Sequence, residues 1–205
     1  MMFPAVVLAV IVGWTAGGSL KNLVDMPLKR FEFILAGFTL QALLFVAPGW
    51  NLGWVAEHGF TILLLSYAIL LFVLWENRTL QGLWVVTIGI ALNLIVIAAN
   101  GGMPVCPDAL AATGQAHLIP ALESGAYIIH ILMTDNTIFS FLADHIATPG
   151  WLPRQLLVSP GDLIMVGGIM WMVPWAMQKH FYRIPEELND VSGQETEQQK
   201  EPKAV

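Results

Sequence analysis

Charge is scarce in this chain: Asp, Glu, Lys and Arg make up 12 % of its 205 residues, against about a quarter in soluble domains. Only nine residues are Lys or Arg, and no basic face gathers them, which excludes a nucleic-acid-binding surface. The single cysteine, Cys106, cannot close an intrachain disulfide. Lying between Pro104 and Pro107, it reads as a small loop residue. The signatures of familiar chemistries are also missing: there is no HExxH, no GxSxG, no CxxC and no nucleotide-binding glycine loop. The spacing of His, Asp and Glu matches no recognised metal motif, and the sequence leaves any cofactor unknown.

What the chain has in abundance is apolar length, with 56 % hydrophobic residues. Five runs stand out: Met2–Gly18, Phe31–Ala47, Phe60–Trp75, Leu83–Ala99 and Leu163–Met177. Each approaches the ~17–20 residues that a helix rising ~1.5 Å per residue needs to cross ~30 Å of hydrocarbon. The expected fold is an all-α membrane protein, a five-helix transmembrane bundle forming one membrane domain over residues 1–180. Met2–Gly18 has no basic start and no small-x-small cleavage site, so it reads as a retained first helix rather than a signal peptide. Residues 181–205 form an acidic tail rich in Gln, Glu and Lys without apolar periodicity, expected to be disordered.

Basic residues set the orientation, because Lys and Arg near helix ends stay on the cytoplasmic side. Lys21, Lys29 and Arg30 lie between the first and second runs, Arg78 between the third and fourth, and Lys179, Arg183, Lys200 and Lys203 after the fifth. Arg154 alone falls on the other side. The result is an N-out/C-in, multi-pass protein of the cell membrane with a cytoplasmic tail, surrounded by the lipid bilayer. Trp50, Trp54, Trp75 and Trp151 fall at the expected membrane edges. Gly13-x-x-x-Gly17 and Gly167-Gly168 are candidates for close helix contact.

The distinctive polar residues concentrate in and beside the long outer loop, residues 100–161. Within it the segment 126–147 contains Tyr127, His130, Thr134, Asp135, Thr137, Asp144 and His145 among apolar residues. Several recur at helical steps, which predicts one or two short amphipathic helices, or a re-entrant helical segment, beside the outer leaflet. His130, Asp135 and Asp144 are candidate ligand-binding residues there. The plainer alternative is that Asp135 caps a helix and Asp144 faces headgroups. Asp162 is a further candidate, although Ser159-Pro160-Gly161-Asp162 also has the form of a helix N-terminus. Asn93, inside an apolar run, requires a hydrogen-bond partner, and Asn100 lies seven residues on along the same face.

The run Asn93-x6-Asn100-Gly101-Gly102-Met103-Pro104-Val105, with Asn77-Arg78-x3-Gly82, His130-Ile131-Leu132-Met133-Thr134 and Ser159-Pro160-Gly161-Asp162, resembles a bacterial family of small polytopic membrane proteins designated domain of unknown function 5317. The resemblance covers about Phe3–Met177. Where many members have an aromatic after the glycine pair, this chain goes directly to Met103, which implies a tighter loop. The resemblance implies the membrane fold and the motif positions; it implies no activity.

Three functional readings follow. The first is a non-enzymatic membrane component that binds a membrane-protein partner, a lipid or a small ligand through the outer polar cluster. The second is a small transporter or channel with Asn93, Asn100, His130 and Asp144 along its path, although no inverted repeat is evident. The third is a membrane enzyme using His130, Asp135, Asp144 or Asp162 as metal ligands or acid–base groups at the outer face.

Overall fold

Within each apolar run no side chain offers the backbone a better partner than its own helical ladder, and all five runs coil. The computed structural model describes residues 2–50, 52–150 and 155–179. The expected tail, Trp151 and Arg154 lie outside the described residues. The elements are α1 (Met2–Thr15), α2 (Leu20–Val24), α3 (Phe31–Val46), α4 (Gly53–Glu57), α5 (Gly59–Glu76), α6 (Leu83–Asn100), β1 (Met103–Val105), α7 (Pro107–Ala112), α8 (Ile119–Glu123), β2 (His130–Leu132), β3 (Ile146–Ala147), β4 (Leu157–Val158) and α9 (Pro160–Gln178). Among them, α5 and α6 are long and apolar enough to cross a membrane, while Pro4–Thr15 and α3 are shorter apolar helices.

The long helices neighbour one another in the order α1, α9, α6, α5, α3. α6 and α9 run antiparallel: Gly82 meets Met172, Val86 meets Gly168, and Gly89 meets Met165 and Gly161. A Cβ on Gly89 would stand 2.8 Å from the Met165 backbone nitrogen, and one on Gly168 2.7 Å from that of Val86. The missing side chains are what bring the two backbones together. Gly13 likewise faces Pro174 and Met177 on α9, whereas Gly17 and Gly167 face open space. Each expected glycine pair therefore contributes one member to packing.

One end of the bundle holds residues 16–30, 77–82 and the end of α9; the other holds 47–58 and 101–159. Lys21, Lys29, Arg30, Arg78 and Lys179 all fall at the first end, and the described residues of the second contain no Lys or Arg. At the basic end, buried Asn77 accepts from the Lys29 N–H at 2.8 Å and donates to the Lys29 carbonyl at 2.9 Å. The Arg78 guanidinium lies 4.8 Å from the Trp75 ring centre. Apolar clusters fill both ends, around Leu83, Ile169 and Met177 at one and Leu44, Leu63 and Ile97 at the other.

The opposite end corrects two expectations. The fold is mostly helical but not all-α, and segment 126–147 is neither an amphipathic nor a re-entrant helix. It runs as an extended strand, a turn at Asp135–Asn136, a short 3-10 turn at Ser140–Leu142, and a second strand. β2 pairs in parallel with β1, His130 opposite Met103 and Leu132 opposite Val105. β3 pairs antiparallel with β4. The reason is local and tertiary together: Ile128, Ile129 and Ile131 favour extended backbone, and β1 presents the donors and acceptors that a strand can use. Parallel pairing needs a long crossover, which α7 and α8 supply.

The seam makes a contrast testable with one methyl group. Gly168→Ala places it against the Val86 backbone and should lower stability by about 1–3 kcal/mol. Gly167→Ala, in open space on the same helix, should be neutral or stabilise by up to ~1 kcal/mol. Thermal unfolding of both variants under the same conditions checks the difference.

Candidate functional site

The end that holds residues 101–159 is built on backbone pairing, and that pairing brings two distant titratable side chains together. β2 carries His130. Asp144 is held against β1, the strand that β2 pairs with: its N–H donates to the Pro104 carbonyl at 2.9 Å, and its carbonyl accepts from the Cys106 N–H at 3.0 Å. His130 Nε2 and Asp144 Oδ2 stand 3.7 Å apart, with the Asp144 side chain 9 % exposed and that of His130 43 % exposed. Asp144 Oδ1 is buried and receives no hydrogen bond among the described residues.

Both groups line a cavity of about 380 Å³. Its wall is mainly apolar, including Phe45, Leu110, Leu118, Leu122 and Leu157, with Gln115 and Tyr127 as the other polar members. The exposed part of His130 faces a concave, largely apolar surface, so its cationic form is poorly hydrated. Burial therefore pushes the His130 pKa below its usual value, against an opposing pull from the negative charge of Asp162. Burial, reinforced by Asp162, pushes the Asp144 carboxyl up to about 8. At neutral pH the pair is an uncharged imidazole beside a protonated acid.

Asp162 owes its position to the start of α9. Ser159 and Asp162 form a capping box: Ser159 Oγ accepts from the Asp162 N–H at 3.0 Å, and Asp162 Oδ2 accepts from the Ser159 N–H at 3.2 Å. Asn93, 3 % exposed, completes the network. It donates from Nδ2 to Asp162 Oδ1 and accepts from Ser159 Oγ, both at 2.9 Å. The helix dipole favours the carboxylate at this N-terminus.

The six sequence candidates thus separate. His130 and Asp144 share the cavity. Asn93 and Asp162 form a satisfied interhelical network whose charge reaches the cavity. Asn100 is a structural clip: its carboxamide donates to the Ile138 carbonyl at 2.8 Å and accepts from the Ile138 N–H at 2.9 Å. Asp135 sits in an exposed turn and does not line the cavity. Sequence reasoning missed Gln115, which gives no signal in its loop, and Tyr67 of α5, which stands in the field of both Asp162 and Asp144. A lone phenol in an apolar helix was the available clue to Tyr67. Among the described residues, no three His, Cys, Asp or Glu side chains gather as a metal site.

The profile of the family of unknown function DUF5317 matches residues 25–174, and the chain belongs to that family. No curated protein and no solved structure matches it.

The raised carboxyl has a pH signature. Folding lifts the Asp144 pKa from 3.8 to about 8, so across that interval the folded chain keeps a proton that the unfolded chain releases. Its contribution to stability therefore falls as pH rises through this window. His130 acts in the opposite sense, costing stability as pH falls below 6.5. Between about pH 6.5 and 8 only the Asp144 effect operates. The melting temperature should decline there in the parent protein and stay level in Asp144→Asn, as read by thermal scans at stepped pH.

Proposed function

We propose that this member of the family is a multi-pass protein of the cell membrane, N-out and C-in, that binds a small ligand non-enzymatically in its outer cavity. The observation that carries the ligand reading is Asp144 Oδ1, a buried acceptor without a donor on the wall of a mainly apolar cavity. Folded proteins rarely leave such an atom unpaired, and a bound donor would satisfy it.

The membrane reading draws support from the outward faces of the bundle. Leu8, Ile11, Leu35, Phe38, Leu65, Phe72, Ile88 and Ile95 are all exposed, more apolar surface than a water-soluble monomer sustains. The described basic residues gather at one end, as the positive-inside rule requires of a cytoplasmic face. Exposed tryptophans occur near both ends, Trp14 and Trp75 at one and Trp50 and Trp54 at the other.

Two experiments test these halves. In a Cys106→Ser background, an impermeant maleimide on intact cells should label Asp108→Cys, and should label Lys21→Cys only after permeabilisation. The reverse pattern overturns the orientation. Native mass spectrometry of protein extracted from its membrane should reveal a bound small molecule that Leu122→Trp, which fills the cavity, removes. A wild-type protein of bare polypeptide mass would defeat the ligand reading.

A further inference from the structure

We infer that the outer cavity recognises a primary ammonium group carried on an apolar chain. This rests on the cavity-binding reading above and adds the chemistry of the ligand. The Asp144 side chain is nine-tenths buried, and its Oδ1 has no donor among the described residues. The titratable groups facing it are His130 from β2, Tyr127 from the segment before β2, Asp162 from α9 and Tyr67 from α5. Cys106 and His145 flank the Asp144 pairing along the chain. None of these supplies a fixed positive charge.

Glu57, Asp108, Glu123, Asp135 and Asp162 lie at this end beside Asp144, and no Lys or Arg does among the described residues, Arg154 lying outside them. A concave apolar wall concentrates that field and favours cations over anions. An ammonium group has three donors to place. Asp144 Oδ1 takes one. His130 Nε2, 3.7 Å from Oδ2, has no hydrogen-bond partner among the described residues and takes another in the tautomer that leaves it unprotonated. Gln115 is the third, since its Nε2 already donates to Thr113 at 2.9 Å and its Oε1 has no donor among the described residues. An alcohol brings no charge to offset that of Asp162 or of an ionised Asp144, and a carboxylate is repelled by Asp162.

The apolar chain follows from the rim. Phe45, on the last turn of α3, lines the cavity while remaining 79 % exposed on the bundle's outer surface. At about 380 Å³ the cavity is near the small end for ligand sites. It accepts a head group and the adjoining carbons, with the remaining chain leaving past Phe45.

Binding is linked to one proton. Burial and Asp162 keep the empty carboxyl protonated near neutrality. The entering ammonium pairs with the carboxylate, and Asp144 releases its proton to solvent. Affinity should therefore rise with pH by up to about tenfold per unit below pH 8, while an alkyl ammonium, titrating near a lysine side chain, stays charged.

The full chain in phosphatidylcholine nanodiscs can be photolabelled with a twelve-carbon primary amine bearing a mid-chain diazirine, beside alcohol and carboxylate analogues of equal length. Adducts are mapped by peptide mass spectrometry. The amine should label cavity peptides around Leu110, Leu122 and Phe45 about tenfold more than either analogue, and more strongly at pH 8 than at pH 6. Asp144→Asn and Leu122→Trp should each suppress those adducts, and Asp135→Asn should not. Competition by phosphatidylethanolamine points to a lipid source of the ammonium, and competition by aqueous butylamine to a soluble one. Failure of both to compete overturns the inference. Equal labelling by the three heads, or preference for alcohol or carboxylate, overturns the ammonium chemistry and leaves cavity binding standing. Absence of cavity adducts with every probe overturns both.

Discussion

The close passage of α6 against α9 is the constraint on which the remaining arrangement depends. Gly82, Gly89, Gly161 and Gly168 let two backbones meet where ordinary side chains would hold them apart. Such proximity leaves little room for polar atoms, yet Asn93 sits in this seam. It is tolerated because Ser159 and Asp162 satisfy both ends of its carboxamide. The same network fixes the first turn of α9 relative to α6. It thereby sets where the Asp162 charge stands, and that charge bears on both His130 and Asp144. Helix packing and site electrostatics are one problem here.

The segment between α6 and α9 solves a different one. A long connection between two helices has many backbone groups to satisfy, and only part of this one is helical. β1 is the organiser: it pairs with β2 along one edge and receives Asp144 through Pro104 and Cys106. Two side chains fourteen positions apart reach one cavity because separate stretches of chain dock on the four residues 103–106. Apolar contacts among Val105, Leu110 and Leu122 close the cavity from the α7–α8 side. The carboxyl is thus placed by backbone bonds rather than by a partner for its own oxygens, which is why one of them remains unpaired.

Much of the helical part was legible. The five apolar runs are all helices, and the Ser159–Asp162 cap was readable because its spacing encodes its geometry. The demand of Asn93 for a partner was also readable, since a buried carboxamide implies one. The conformation of 126–147 was not. Its polar residues mimic a helical stripe, but period is decided by where hydrogen-bond partners lie, and β1 is a tertiary partner that no local pattern announces. For the same reason the sequence placed Asp135 beside Asp144 as an equal candidate, whereas only docking distinguishes an exposed turn from a buried wall. Gln115 stayed invisible because nothing in a loop sequence says which side chains a fold will turn inward.

Asn77 and Asn100 perform matching acts at opposite ends of the bundle, each gripping both the N–H and the carbonyl of a single distant residue. Such a grip is blind to the gripped side chain. Positions 29 and 138 are therefore free to diversify, whereas the two asparagines are confined. Aspartate offers no amide donor to the carbonyl, and glutamine carries its amide one methylene too far. At the two termini of the bundle the connections can therefore present new surfaces to new surroundings while their anchorage to the helices stays unaltered.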